Sequence, residues 1–383
     1  MSVLFDAIDL DQLRGHGSVK WSLYPDAIGA FIAEMDFGTA PVITEALHAA
    51  VDAGAFGYLP AALADELGTA CADWIATSYG WSVPAERIRP LPDVIKGLEV
   101  AIEHYSRPGS KVIVPVPAYM PFLQVPGSLG REILEVPLAR VDGEYRFDLD
   151  AIDAAFTEGG HLLVLCNPYN PAGRVFRTDE LEAVAAVVER HGGRVFADEI
   201  HAPLVHPGHR HVPYASLSDV TAAHTITATS ASKAWNLPGL KCAQLVLSND
   251  ADAAVWEQVG FLAEHGAANL GVIANTVAYR EGRGWLEEVL SYLDGNRTAL
   301  AALLAEHLPE VGYTPPEGTY IGWLDCRALG LDDPATFFRE RAGVALTDGA
   351  ACGSPGFVRM IFATPRPILE QAVRQLAAGY RSR

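Results

Sequence analysis

The sequence predicts an α/β fold built on a mainly parallel sheet, and three observations carry that expectation. From about residue 110 to 250, short apolar runs rich in β-branched residues alternate with helical patterns, the order from which strand–helix–strand crossovers are made. Several runs are apolar on both faces, which suits strands covered by helices on either side. The chain has 383 residues, 50% of them apolar, enough to give one large or two moderate domains a real core.

The strand-like runs are "KVIVPVP" (111–117), "REILEVPL" (131–138), "HLLVLCNP" (161–168), "GRVFADEI" (193–200), "TITATS" (225–230) and "CAQLVLS" (242–248). Between two of them, "RTDELEAVAAVVERHGG" reads as an amphipathic crossover helix. Thr178 is its expected N-cap, Asp179 and Glu180 suit its first turn, and Gly192 and Gly193 end it. Leu181, Val184 and Val188 recur at helical spacing. After residue 284 a long helical pattern places Leu286, Leu290, Leu293, Leu300, Leu304 and Leu308 on related faces. It leads to a smaller α+β region with strand-like runs in "GTYIGWLDCRAL" and "FVRMIFA".

A formal charge of −19 without any basic cluster argues against nucleic acid or an anionic membrane as partner, because phosphate contacts need grouped Lys and Arg. Five scattered cysteines (Cys71, Cys166, Cys242, Cys326, Cys352) form no C-x-x-C pair, which favours a reducing cytosol. The start, "MSVLFDAIDLDQLRGHG", is acidic where a signal peptide is basic, and no long apolar run follows. A soluble cytoplasmic protein is expected.

The chemistry centres on Lys233 in "TATSASKAWNLPGLK". A lysine among small hydroxyl and apolar residues is desolvated, so its pKa falls and it can form a Schiff base with an aldehyde; the plain alternative is a lysine snorkelling at a loop edge. "RVFADEIH" is an apolar strand ending in Asp198, Glu199 and His201, where parallel strands open a ligand crevice. Strand alternation turns Asp198 and Glu199 to opposite faces, so only one enters it. "CNPYNPAGRVF" holds Asn170 between Pro168 and Pro171, which stiffens its presentation. The turn "PDVIKG" (92–97) runs into a helix pattern and can offer backbone N–H groups to an anion, with hydroxyls of Ser230 and Ser232 in reserve. His201, His206, His209 and His211 in "HAPLVHPGHRH" could suggest a metal site, but Pro and Gly make it read as a surface loop without metal.

Asn170, Asp198 and Lys233 follow one another at separations of 28 and 35 residues. In this order the chain resembles the fold-type I pyridoxal 5′-phosphate (PLP) enzymes, the aspartate aminotransferase superfamily. Within it, the chain is most similar to the cystathionine β-lyase, or carbon–sulfur lyase, branch. That narrower likeness rests on "AEMDFGTAPVITEAL", "GAFGYLP", "PVPAYMPF", "CNPYNPAGRVF", "ADEIHAPLVHPGHRHVPYASL", "SKAWNLPGL" and "GTYIGWLD", and covers almost the whole chain.

The resemblance implies a large PLP-binding domain over 39–284, with a mainly parallel seven-stranded sheet between helices, and a small α+β domain from 1–38 and 285–383. It implies that Lys233 carries PLP and removes the substrate Cα proton, that Asp198 pairs with the pyridinium nitrogen, and that Asn170 donates to the ring oxygen O3′. Tyr119 stacks on the ring, His201 sits near O3′, and Val94 and Ile95 match the phosphate cup. Tyr58 matches a tyrosine that reaches the phosphate from the neighbouring subunit, implying a homodimer with shared active sites. Lys241 is either a phosphate ligand or a charge at a strand entry. Arg359 in "GFVRMIFA" matches the arginine that forks onto the substrate α-carboxylate.

The expected reaction is β-elimination on S-substituted cysteines, giving thiol, pyruvate and ammonia. Transamination uses the same residues; Glu34 before "MDF", Tyr169 in "NPYNP" and Lys241 depart from the common lyase pattern. A PLP-binding regulator is the reading from another class, since relatives of this branch also contact a transcription factor.

Overall fold

The computed structural model describes residues 5–141 and 143–383. Its main sheet contains β1 (Ile88–Leu91), β2 (Lys111–Val116), β3 (Ile133–Pro137), β4 (Gly160–Cys166), β5 (Arg194–Asp198), β6 (Thr225–Thr229) and β7 (Ala243–Leu247), in the spatial order β1-β7-β6-β5-β4-β2-β3. All neighbouring pairs are parallel except those of β7, which is antiparallel to β1 and β6. The mainly parallel sheet read from the apolar runs, with the seven strands that the resemblance implies, is therefore present. The strand missed in the sequence is β1, "IRPL", whose Arg and Pro interrupt the apolar pattern; Pro90 is tolerated because β1 is an edge strand.

Central strands are buried along their length, including Val112 to Val114, Leu162 to Leu165 and Val195 to Ala197. Helices α1 (Pro41–Asp52), α2 (Ala61–Tyr79), α3 (Val94–His104), α4 (Leu149–Thr157), α5 (Thr178–Arg190), α6 (Asp250–Glu264) and α7 (Asn269–Glu281) accompany this part of the chain. In α5, Leu181, Val184, Val187 and Val188 are buried. Thr178 is its first helical residue and not the N-cap; extended Arg177 occupies that position, and its N–H donates to Glu180 Oε2 at 3.0 Å. Glu180, at the third helical position, thus satisfies the N–H of the N-cap residue itself, whereas a capping hydroxyl at Thr178 would have accepted an N–H from inside the helix.

The long pattern after residue 284 is α8 (Arg283–His307), with Leu286, Leu293, Leu300 and Leu304 buried. A second sheet of β8 (Gly312–Tyr313), β9 (Ile321–Asp325), β10 (Thr347–Asp348) and β11 (Phe357–Ile361) follows, in the antiparallel order β8-β9-β11-β10, and α9 (Arg366–Arg381) completes the chain. The N-terminal segment joins this part, since Ile28–Gly29 pairs in parallel with Val344–Ala345.

Two parts of the chain are zipped together beside the crevice. His206 N donates to Glu317 O at 2.9 Å, Thr319 N to Leu204 O at 2.6 Å, and Gly318 N to Gly173 O at 3.0 Å. Gly173 has φ +70°, and a Cβ there would lie 2.3 Å from Pro316 Cβ. Only glycine meets both demands, so the N-P-x-G turn carrying Asn170 seats directly on the segment leading into β9.

The histidine-rich loop corrects an expectation. His201, His206 and His211 are buried, because each turns inward to a neighbouring element. His206 Nε2 lies 2.8 Å from Thr319 O, and His211 Nε2 lies 3.1 Å from Glu199 Oε2.

Candidate active site

Parallel strands bring their carboxyl ends to one side of the sheet, and the residues that follow β2, β4, β5 and β6 converge there. Tyr119, Asn170, Asp198, His201 and Lys233 line one cavity of about 310 Å³ with Val94, Arg359, Phe31, Ile32, Ala33, Met120, Cys166, Ile200 and Thr347.

Asp198 is the last residue of β5 and is buried. Its Oδ1 accepts from Ile200 N at 3.0 Å. Burial pushes its carboxyl up to about 7, against the opposing pull of that N–H and of Lys233. Glu199 faces away, as strand alternation predicts: its Oε1 accepts from Tyr214 N at 2.8 Å and its Oε2 meets His211. Asp198 is thus left as the carboxylate of the crevice, while Glu199 braces the loop behind it.

Lys233 lies four residues beyond β6, in a turn held by Trp235 N donating to Ala231 O at 3.0 Å and Leu237 N to Ser232 O at 2.8 Å. Its Nζ donates to Ala33 O at 3.1 Å. Desolvation, reinforced by Arg359, lowers its pKa to about 8; Glu34 and Asp198 oppose the shift. At pH 7 about a tenth is then the amine, far more than for an ordinary lysine, and the amine is the form a Schiff base or a proton acceptor requires. His201 is pushed down to about 3 by burial and by the charges of Lys233 and Arg359, so it is neutral. Its Nδ1 has no hydrogen-bond partner among the described residues.

Arg359 in β11 reaches the same cavity from the second sheet. Its Nη1 donates to Asn170 Oδ1 at 3.2 Å and its Nη2 to Phe31 O at 3.1 Å. Its buried Nε has no partner among the described residues. The guanidinium is anchored at its tips yet retains donor capacity for an incoming anion.

At the other end of the cavity, the side chain of Asp93 caps α3 and accepts from Lys96 N at 3.0 Å. The N–H groups of Val94 and Ile95, in the first turn, have no carbonyl of their own helix to reach, and the helix dipole favours an anion there. Ser232 is buried in the Lys233 turn. Ser230 is buried too, but its hydroxyl donates to Cys242 O at 2.7 Å and accepts from Ser232 N at 2.9 Å, so it shapes the turn.

Lys241 and Tyr58 stand outside this cavity. Lys241 Nζ lies 3.1 Å from Asp93 Oδ2, beside the α3 N-terminus, and its φ is +50°. Tyr58 is 86% exposed, 5.4 Å from the ring of His265 between centroids, and shares a large open groove with Lys241 and Phe261.

The sequence carries no signal for the backbone of residues 31–36, a strap of which Phe31, Ile32 and Ala33 line the cavity. Asp36 pins this strap: its Oδ2 accepts from buried Lys20 Nζ at 2.9 Å and its Oδ1 from Trp21 Nε1 at 2.9 Å. The "EMDF" stretch carries only a family likeness, and nothing in the pattern around Lys20 announces a buried ammonium.

Residues 31–376 match the family model for aminotransferase class I and II. The chain belongs to that family. It is 38% identical to the cystathionine beta-lyase of Corynebacterium glutamicum over 97% of this chain and 98% of that one. Among solved structures, it superposes with a TM-score of 0.92 on a protein of Corynebacterium diphtheriae described as a candidate PLP-dependent β-cystathionase, at 38% identity and 98% coverage of both chains. The PLP-bound C–S lyase of Staphylococcus hominis gives a TM-score of 0.90 at 27% identity, again over 98% of both chains. The family, fold type and enzyme class expected from the resemblance are thereby established.

Proposed function

We propose that the enzyme uses PLP to catalyse β-elimination on S-substituted L-cysteines of the cystathionine type, releasing a thiol, pyruvate and ammonia. The observation that carries this reading is the convergence of Lys233, Asp198, Asn170 and Arg359 on one cavity, in a chain 38% identical to a cystathionine beta-lyase over nearly its whole length.

The residues fit the cofactor. Asp198 is a buried carboxyl pushed up to about 7, a state relieved by a protonated ring nitrogen beside it. Lys233 offers an amine for the aldehyde, Tyr119 an aromatic face, and the first turn of α3, with Val94 and Ile95, N–H groups for a phosphate. Asn170 and neutral His201 supply groups for the ring oxygen, and Ser230, Ser232 and Lys241 shape the phosphate end. When bound, PLP supplies the electron sink that stabilises negative charge at the substrate Cα.

Arg359 receives the α-carboxylate, since it is held by Asn170 and Phe31 and still has a donor to give. Lys233, with a pKa of about 8, takes the Cα proton as the amine and returns a proton as the ammonium to the departing sulfur, close to the condition for efficient acid–base work. Loss of the thiol leaves aminoacrylate, which hydrolyses to pyruvate and ammonia.

A homodimer with shared sites accounts for Tyr58. Its exposed ring lines a groove with exposed Phe56 and Phe261, and exposed Leu262 follows Phe261 in the chain; together they make an apolar surface suited to a second copy, which would bring Tyr58 to the partner's phosphate site. Mixing inactive Lys233→Ala and Tyr58→Ala chains tests this: restored activity from mixed dimers supports sharing, and none overturns it. No helix among the described residues is long and apolar enough to cross a membrane, and the five cysteines are unpaired and buried, in keeping with a reducing cytoplasm.

The deciding experiment counts products. Holoenzyme with L-cystathionine and a series of S-substituted cysteines, without any 2-oxo acid, should release thiol, pyruvate and ammonia over many turnovers. A single equivalent of keto product per site, with turnover restored by a 2-oxo acid, would make it an aminotransferase.

A further inference from the structure

The strap over residues 31–36 has an unusual hydrogen-bonding economy. Phe31 O accepts from Thr347 Oγ1 at 2.7 Å and from Arg359. Ile32 O accepts from Glu34 N at 2.8 Å, Glu34 O from Lys20 Nζ at 3.1 Å, and Met35 O from Asn236 Nδ2 at 2.9 Å. Each is held by groups that have no part in proton transfer. Ala33 O differs, for its two donors are Lys233 Nζ and the hydroxyl of Tyr320, both at 3.1 Å. A carbonyl has two acceptor sites, and here one belongs to the lysine that must leave and return.

Tyr320 is buried, and its ring stands edge-on to His201, with centroids 6.0 Å apart at 78°. Its hydroxyl has Ala33 O as its hydrogen-bond partner. Resting on the assignment of Lys233 above, we propose that Tyr320 is a positioning residue. It holds the Ala33 carbonyl in place while Lys233 is engaged, so that the released amine finds a fixed acceptor each time it becomes charged. A fixed acceptor favours the ammonium over the amine, and thereby sets how readily Lys233 keeps the proton taken from Cα before passing it on. The other charged groups facing Lys233 are Arg359, Glu34, Asp198 and Lys241; Tyr320→Phe alters none of them and preserves the ring against His201.

The test reads Lys233 directly. In full-length protein freed of cofactor, the pH dependence of Lys233 acetylation, followed by mass spectrometry, gives its titration midpoint. Tyr320→Phe should lower that midpoint by about half a pH unit, the scale of one hydrogen bond. In the holoenzyme it should reduce kcat about fivefold with KM within about twofold of wild type. Asn236→Gly, which loosens the strap at Met35 without touching Ala33, should lower stability and leave the midpoint in place. An unchanged midpoint in Tyr320→Phe, or an equal shift in Asn236→Gly, would overturn the positioning role. Full turnover by Lys233→Ala would instead overturn the functional assignment on which it rests.

Discussion

Two buried charge groups within one wall of the molecule are built on opposite principles. Lys20 and Asp36 have side chains 0% and 3% exposed and lie 2.9 Å apart, with Trp21 and the Glu34 carbonyl taking up remaining hydrogen-bonding capacity. In the crevice beyond the strap Asp198 is as buried as that pair and Lys233 is partly buried, yet both are driven toward neutrality, one up to about 7 and the other down to about 8. Around them, His201 Nδ1 and Arg359 Nε have no partner among the described residues. Satisfied buried charge marks a structural pin, whereas unsatisfied buried charge marks a place kept ready for a ligand.

The sharpest way to break the contrast is to remove one member of the satisfied pair. Asp36→Ala leaves the Lys20 ammonium buried without a counter-charge and should cost about 3–5 kcal/mol of stability, measured by urea unfolding of the holoenzyme. A loss below about 1 kcal/mol would show that Lys20 finds another partner, and the strap would not depend on this pin.

A smaller effect of opposite sign is expected in the crevice. The carboxyl of Asp198 in the folded chain titrates above the ordinary carboxylate range, so its contribution to stability is complete below about pH 4 and is lost as pH rises through about 7. Asp198→Asn should therefore match wild type near pH 4 when cofactor is absent. By pH 8 the variant should be more stable, by about 1 kcal/mol or more. With PLP bound the order should reverse, because the amide cannot balance a protonated ring nitrogen. Thermal unfolding at several pH values, with and without PLP, measures both signs.

The alternation of apolar runs with helical patterns was sufficient to read β2 to β7, α5 and α8, because strands buried on both faces and amphipathic crossover helices leave strong local periodicities. β1 was not legible, since an edge strand with Arg89 and Pro90 has no such pattern. The depth of the histidine loop was hidden for a similar reason: His206 and His211 look like surface residues until Thr319 and Glu199 are brought against them.

By itself, the sequence determined the chemical inventory: a lysine among small residues, a carboxylate at a strand end, an asparagine in a proline-bound turn and an arginine in a late strand. Their types and order are local properties, and chemistry needs those side chains whatever surrounds them. Only the tertiary structure decided that the Ala33 carbonyl, Tyr320 and the Lys20–Asp36 pair bear on the same site. Residues 33 and 320 meet 287 positions apart, and a backbone carbonyl carries no signature in sequence. Such a contact exists only once the N-terminal strap has paired alongside the C-terminal strands and the sheet has turned its carboxyl ends toward both.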